Sequence, residues 1–114
     1  MAFSEIELKR IDNLVGAFCR RRIPVEIQDE LTLAYRVEGH DVVIFERRPY
    51  WRDPRQTTEM PVAKLKFVRT ANEWRLYWQR RDLKWHAYDF LPSSTDLKEL
   101  VDEIDKDEFA CFFG

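Results

Sequence analysis

Along the first part of the chain, apolar residues recur at helical spacing. Leu8, Ile11, Leu14, Val15 and Phe18 fall on one face of an amphipathic helix. Ser4 and Glu7 have the S-x-x-E spacing of a capping box, and Glu5 adds negative charge at the positive helix end. Arg20, Arg21 and Arg22 suit the last turn, and Pro24 stops the helix. From Leu31 the period changes to two. Leu31, Leu33, Tyr35 and Val37 alternate with Thr32, Ala34, Arg36 and Glu38, which predicts a half-buried strand. Glu38-Gly39-His40-Asp41 is turn chemistry, and Val42 to Arg48 is a second β-rich run, so a hairpin is expected with His40 exposed in its turn.

Pro49 to Pro61 contains three prolines, a polar centre and no clear period, and is expected to be a loop. Trp51 either pins that loop to the core, which is the expectation, or stands exposed beside Arg47, Arg48, Arg52 and Arg55 as part of a binding element. A third strand runs from Val62 to Arg69, and Thr70 to Glu73 can turn the chain. Trp74, Leu76 and Trp78 then alternate with Arg75, Tyr77 and Gln79. A helix also fits this spacing, but the aromatic content favours a strand. Arg81-Asp82-Leu83 makes another turn, and Lys84 to Phe90 reads as a fifth strand. After the capping residues of Pro92 to Asp96, the residues Leu97, Leu100, Val101 and Ile104 define a second amphipathic helix. The apolar end, Phe109 to Gly114, is expected to pack on the body of the protein or on a partner.

Short connections make successive strands antiparallel, and two one-sided helices must bury their stripes. The prediction is a single α+β domain over residues 1–114, in two layers. A five-stranded, mostly antiparallel meander sheet carries an N-terminal and a C-terminal helix on one face. Its other face would then present Arg36, Lys64, Lys66, Arg75, Tyr77 and Gln79.

Composition narrows the class. With 114 residues, 45% hydrophobic and 35% charged, the chain can bury roughly 65% of its unfolded surface without staples. No apolar run approaches the ~20 residues of a membrane span. The start, MAFSEIELKR, lacks the basic and apolar regions of a signal peptide, so a cytoplasmic location is expected. Cys19 and Cys111 suggest no disulfide framework or metal knuckle, and Cys19 is expected to be a buried structural thiol.

The net charge of -2 hides a segregation: residues 1–46 carry -3, residues 47–86 carry +7 and residues 87–114 carry -6. Either the acidic end docks on the basic middle, or the middle meets an anionic partner. Three of the four tryptophans lie between Trp74 and Trp85, interleaved with cations. Aromatics of this kind anchor a core, and with cations beside them they can also read anions or bases.

Catalytic signatures are missing. Three glycines build no G-x-G-x-x-G or phosphate loop, and no G-x-S-x-G elbow occurs. His40 and His86 are not at ligand spacing with each other or with a cysteine, so neither a metal nor another cofactor is expected. The leading expectation is a non-enzymatic binding module. Its candidate binding residues are Lys64, Lys66, Arg75 and Tyr77 on the open sheet face, with Arg47, Arg48, Trp51 and His86. Its partner would be nucleic acid or an acidic protein surface, with no membrane involved. The alternatives are a small enzyme with a site around His86, Glu46 and the 49–61 loop, or a homodimer joined by the open face or the apolar tail.

Several motifs also resemble one family. These are Glu46-Arg47-Arg48-Pro49-Tyr50-Trp51, Pro61-Val62-Ala63-Lys64, Trp74-Arg75-Leu76-Tyr77-Trp78, Asp82-Leu83-Lys84-Trp85-His86-Ala87-Tyr88 and the Cys111-Phe112-Phe113-Gly114 end. The chain resembles, over nearly its whole length, the small bacterial proteins grouped as domain of unknown function 3024. The resemblance implies a bacterial, stand-alone domain. It brings no activity, cofactor or catalytic residue to carry over.

Overall fold

The computed structural model describes residues 3–113; Met1, Ala2 and Gly114 lie outside the described residues. The capping box forms as the sequence predicts. The Ser4 hydroxyl accepts from the Glu7 amide at 3.2 Å, and the Ser4 amide donates to the Glu7 carboxylate at 2.9 Å. The helix continues as α1 (Glu5–Ile11), a π-helical turn (Asp12–Gly16) and α2 (Ala17–Arg22). Inside the wide turn the Asp12 carboxylate folds back along the helix. A Cβ on Gly16 would come 2.3 Å from it, so a larger residue there would displace the carboxylate. Asp12 thereby accepts the Tyr35 hydroxyl at 2.9 Å and tethers the helix to the first strand. Ile11, Val15, Phe18 and Cys19 form the buried stripe, whereas Leu8 is left 40% exposed.

Six strands follow: β1 (Thr32–Glu38), β2 (Asp41–Tyr50), β3 (Asp53–Val68), β4 (Glu73–Gln79), β5 (Trp85–Ala87) and β6 (Ser93–Ser94). All pairings are antiparallel in the order β1-β2-β3-β4-β5, and β6 also pairs with β4. The meander is the predicted one with a short sixth strand added. Gly39, at φ +63°, makes the β1–β2 turn possible. His40 in that turn is not exposed as expected. It is half-buried, with the Phe3 ring edge-on at 5.8 Å. A bulge at Val62, beside the amide-less Pro61, shifts the β2–β3 register between Ile44 and Phe45.

The largest departure from the sequence prediction is the 49–61 segment. It is strand rather than loop: β2 and β3 pair through Pro49↔Thr57 to Tyr50↔Asp53, and the chain turns at Trp51 and Arg52. The expected fifth strand, Lys84 to Phe90, contracts to Trp85–Ala87. Leu83 enters it from the left-handed region at φ +63°.

The helix α3 (Leu97–Lys106) is capped by Asp96, whose carboxylate accepts from the Lys98 amide at 3.0 Å. It ends at Asp107, at φ 44°. The Asp107 carboxylate accepts from the amides of Phe112 and Phe113, both at 2.9 Å, and so turns the tail back on the body. Phe112 is buried against Tyr88 (ring centroids 5.0 Å apart), and Phe113 meets Phe18 at 6.4 Å. Burying a phenylalanine contributes about 1.5–3 kcal/mol, so the tail closes the core in cis. Leu100, Val101 and Ile104 complete that core with Val42, Ile44, Leu65 and Leu76 from one sheet face. Among the described residues no helix is long and apolar enough to cross a membrane.

Two predictions follow from this packing. Ile11→Ala and Leu100→Ala should each cost about 2–5 kcal/mol in chemical denaturation, because both side chains are at most 1% exposed. A loss below about 0.5 kcal/mol for both would place them on the surface. The second concerns Glu7, whose carboxylate receives both terminal nitrogens of Arg69 at 3.1 Å. The Arg69 hydrogen bonds, aided by the Ser4 amide, hold Glu7 at about 2, below its ordinary 4.5. Its contribution is therefore complete above pH 4.5 and is lost as pH falls toward 2. Glu7→Gln should flatten the acid limb of the stability profile in that window. An unchanged limb would show that other carboxylates set it.

Candidate anion-binding face

Strand alternation sends Leu65, Trp74 and Leu76 to the helices and their neighbours to the opposite face. On that open face the register sets Lys64 beside Tyr77 and Lys66 beside Arg75, with Tyr77 next to Ala87 and Gln79 next to Trp85. The predicted set Lys64, Lys66, Arg75 and Tyr77 is thus brought together. Trp85 joins it, a residue that sequence reasoning did not place there. The Lys64 ammonium lies 5.2 Å from both the Tyr77 and the Trp85 ring centroids.

No helix covers this face, so its side chains shield it. Val43 and Phe45 point outward on β2 and yet are only 3% exposed. The guanidinium groups of Arg36 and Arg47 lie 5.0 and 5.4 Å from the Phe45 ring centroid. Glu59 holds both arginines in place, at 3.3 and 3.2 Å. Toward β4 this neutralisation stops. Among the described residues no carboxylate lies within 4 Å of the Lys64 or Lys66 ammonium, and Arg75 has only Glu73 at 3.9 Å. Lys66 and Arg75 are like charges set directly across from each other, an arrangement that opposes strand pairing.

The other candidates lie elsewhere. Arg48 pairs with Glu46 at 3.2 Å, at the root of the β2–β3 ribbon. Trp51, at the ribbon tip, is 79% exposed and has the Arg52 guanidinium 4.7 Å from its ring centroid. It does not pin anything to the core. His86 stands opposite Trp78, on the helix-bearing side of the sheet, and so is separated from Lys64 and Tyr77. Its Nε2 lies 2.9 Å from Asp82. The Lys84 amide, followed by His86, holds the Asp82 carboxyl below its usual range.

The residues named for an enzyme site do not assemble. His86 pairs with Asp82 and Glu46 with Arg48, and β3 and β4 lie between their strands. A cleft of about 270 Å³ between α2 and β1 is lined by Cys19, Arg20, Ile23, Gln28, Thr32 and Leu33. A shallow depression of about 550 Å³ runs along Trp78 to Asp82. Neither has His86 or Glu46 on its wall. Burial pushes the Cys19 thiol up to about 12, which leaves it protonated and unreactive at neutral pH. Among the described residues no three His, Cys, Asp or Glu side chains converge on a metal position.

A family model described as "Domain of unknown function (DUF3024)" matches residues 3–114, essentially the whole chain. Comparison with curated proteins finds no match, and comparison with solved structures finds none.

The exposure of Trp51 is directly testable. Trp51→Ala should change stability by less than about 0.5 kcal/mol in chemical denaturation, as for other surface sites. A loss of about 3 kcal/mol or more, the size for a buried tryptophan, would return it to the core.

Proposed function

The chain belongs to the family of domain of unknown function 3024, and we propose that it is a non-enzymatic binding module whose open sheet face takes up an anionic partner. The observation that carries this reading is the cluster Lys64, Lys66 and Arg75, set side by side on an uncovered face. Among the described residues neither lysine has an ion-pair partner, although Asp41 is the strand neighbour of Lys66, and Arg75 has only Glu73 at 3.9 Å. Facing like charges weaken the sheet, and an anion laid across them removes that repulsion. The cluster also stands in the basic segment of a mildly acidic protein, so its field is local and directs a partner to one place. Lys64 already lies over the Tyr77 and Trp85 rings. The face therefore suits recognition by charge, with aromatic edges as a platform, more than deep insertion of bases between rings.

A single-stranded oligonucleotide and a glutamate-rich peptide are the two probes that test this reading. At least one should bind at low salt, with an affinity that falls as salt is added. The double change Lys64→Glu, Arg75→Glu should abolish that binding. Losing the two cation–π contacts of half-buried Lys64 costs about 1–2 kcal/mol, which leaves the variant folded. No binding of either probe by the parent protein at low salt would remove the proposal.

A further inference from the structure

We infer that the β2–β3 ribbon, residues 47–59, is a second and independent binding element that enters a groove of double-helical DNA tip-first. Beyond Arg47 the ribbon has left the sheet. β1 begins opposite Arg47, and the β3–β4 pairing ends at Ala63↔Trp78. No residue between Ile44 and Val62 belongs to the hydrophobic core that faces the helices. The radius of gyration, 14.3 Å, exceeds the roughly 13 Å of a compact chain this long, and the longest axis is 45 Å. A two-stranded ribbon without a third strand or a helix is marginal in water by itself, and this one ends in an exposed tryptophan.

The chemistry of the ribbon selects its occupant. Free strand edges commonly recruit another strand, but Pro49 and Pro54 remove amide donors from these, which disfavours strand addition. Residues 47–59 hold four arginines against two acids, Asp53 and Glu59, and no lysine. Arginine is the cation suited to forked contact with phosphate. The arginines occupy both sides of the ribbon. Arg47 lies on the open face over Phe45, while Arg48 pairs with Glu46 on the other. A ribbon that is basic on both sides fits a channel with anionic walls on both sides, which a flat acidic protein surface does not provide. The dimensions agree: strands about 4.8 Å apart enter a major groove about 12 Å wide, and four residue rows reach about 14 Å against a depth of about 8.5 Å. Arg47, Arg48 and Arg55 pair with Glu59, Glu46 and Asp53 through exposed guanidinium groups, which leaves them accessible to phosphates. Arg52 has no such partner among the described residues and lies over Trp51. At the tip these two would meet the sugar and base edges.

The test is titration of a fluorescent DNA duplex against the full chain over a salt series. The parent should bind at low salt with a linear log–log salt dependence. Arg48→Ala, Arg52→Ala and Arg55→Ala together should make the slope shallower by about 2 to 3, since each phosphate contact contributes about 0.9. Circular dichroism of the triple variant should match the parent, because the ribbon lies outside the core. The Lys64→Ala, Arg75→Ala variant should keep its slope within about one half of that loss, so the open-face proposal can fail without this one. Absence of duplex binding by the parent at low salt would overturn the inference. So would a triple variant with an unchanged slope, or an arginine-dependent preference for a glutamate-rich peptide over the duplex.

Discussion

The buried apolar stripes of the first and last helices are pressed against a single face of one antiparallel sheet, and that one-sidedness governs the rest of the structure. On the covered face the requirement is volume. Ile11, Val15 and Phe18 from the first helix and Leu100, Val101 and Ile104 from the last meet Val42, Ile44, Leu65 and Leu76. On the uncovered face the requirement is solvation. Val43 and Phe45 still have to be kept from water, and only long amphipathic side chains are available to do it. Arg36 and Arg47 serve this purpose over Phe45, and Lys64 does the same over Tyr77 and Trp85. The cations of the open face are thus part of the architecture before they are part of any site.

Charge is distributed in the same way. Asp105 of α3 pairs with Arg21 at 3.0 Å and Arg22 at 3.3 Å. The acidic end of the chain therefore neutralises the end of the first helix. Its carboxylates do not reach the basic middle: no ion pair joins residues 47–86 to residues 87–113 among the described residues. The middle segment answers to its own few acids and to Glu7 and Glu46, and among the described residues Lys64 and Lys66 are left without an ion pair. Internal docking of acid on base does occur, between the two helices rather than on the sheet.

How much of this was legible in the sequence depends on what each residue answers to. The capping box, the two helical stripes and the alternation of β1 to β4 answer to local geometry and burial, and they were readable. The register that joins Lys64 to Tyr77 followed from that alternation. The ribbon was not readable, because Pro49 and Pro54 normally signal a loop. They are tolerated since no neighbouring strand needs their missing amides. The apolar pattern puts Leu8 on the stripe, since nothing in it announces a π-helical turn. Turn chemistry alone exposes His40, but Phe3, far away in sequence, folds over the turn that contains it. Trp85 and the Glu59 bridge depend on long-range register, to which composition is blind.

The meander has a consequence for how the chain reaches this state. Every strand from β1 to β4 pairs with its successor, so sheet growth needs only short closures, and β-hairpins form in about 1–10 μs. The contact between Phe18 and Phe113, 95 residues apart, closes a far longer loop than any strand pairing. Closure entropy rises by about 0.6 kcal/mol for each doubling of loop length, so this contact gains most from a sheet already in place. Once the sheet exists, the path between the two helices runs across a few strand widths instead of along the whole chain. Kinetically, the sheet acts as the template that brings the two ends of the molecule into reach.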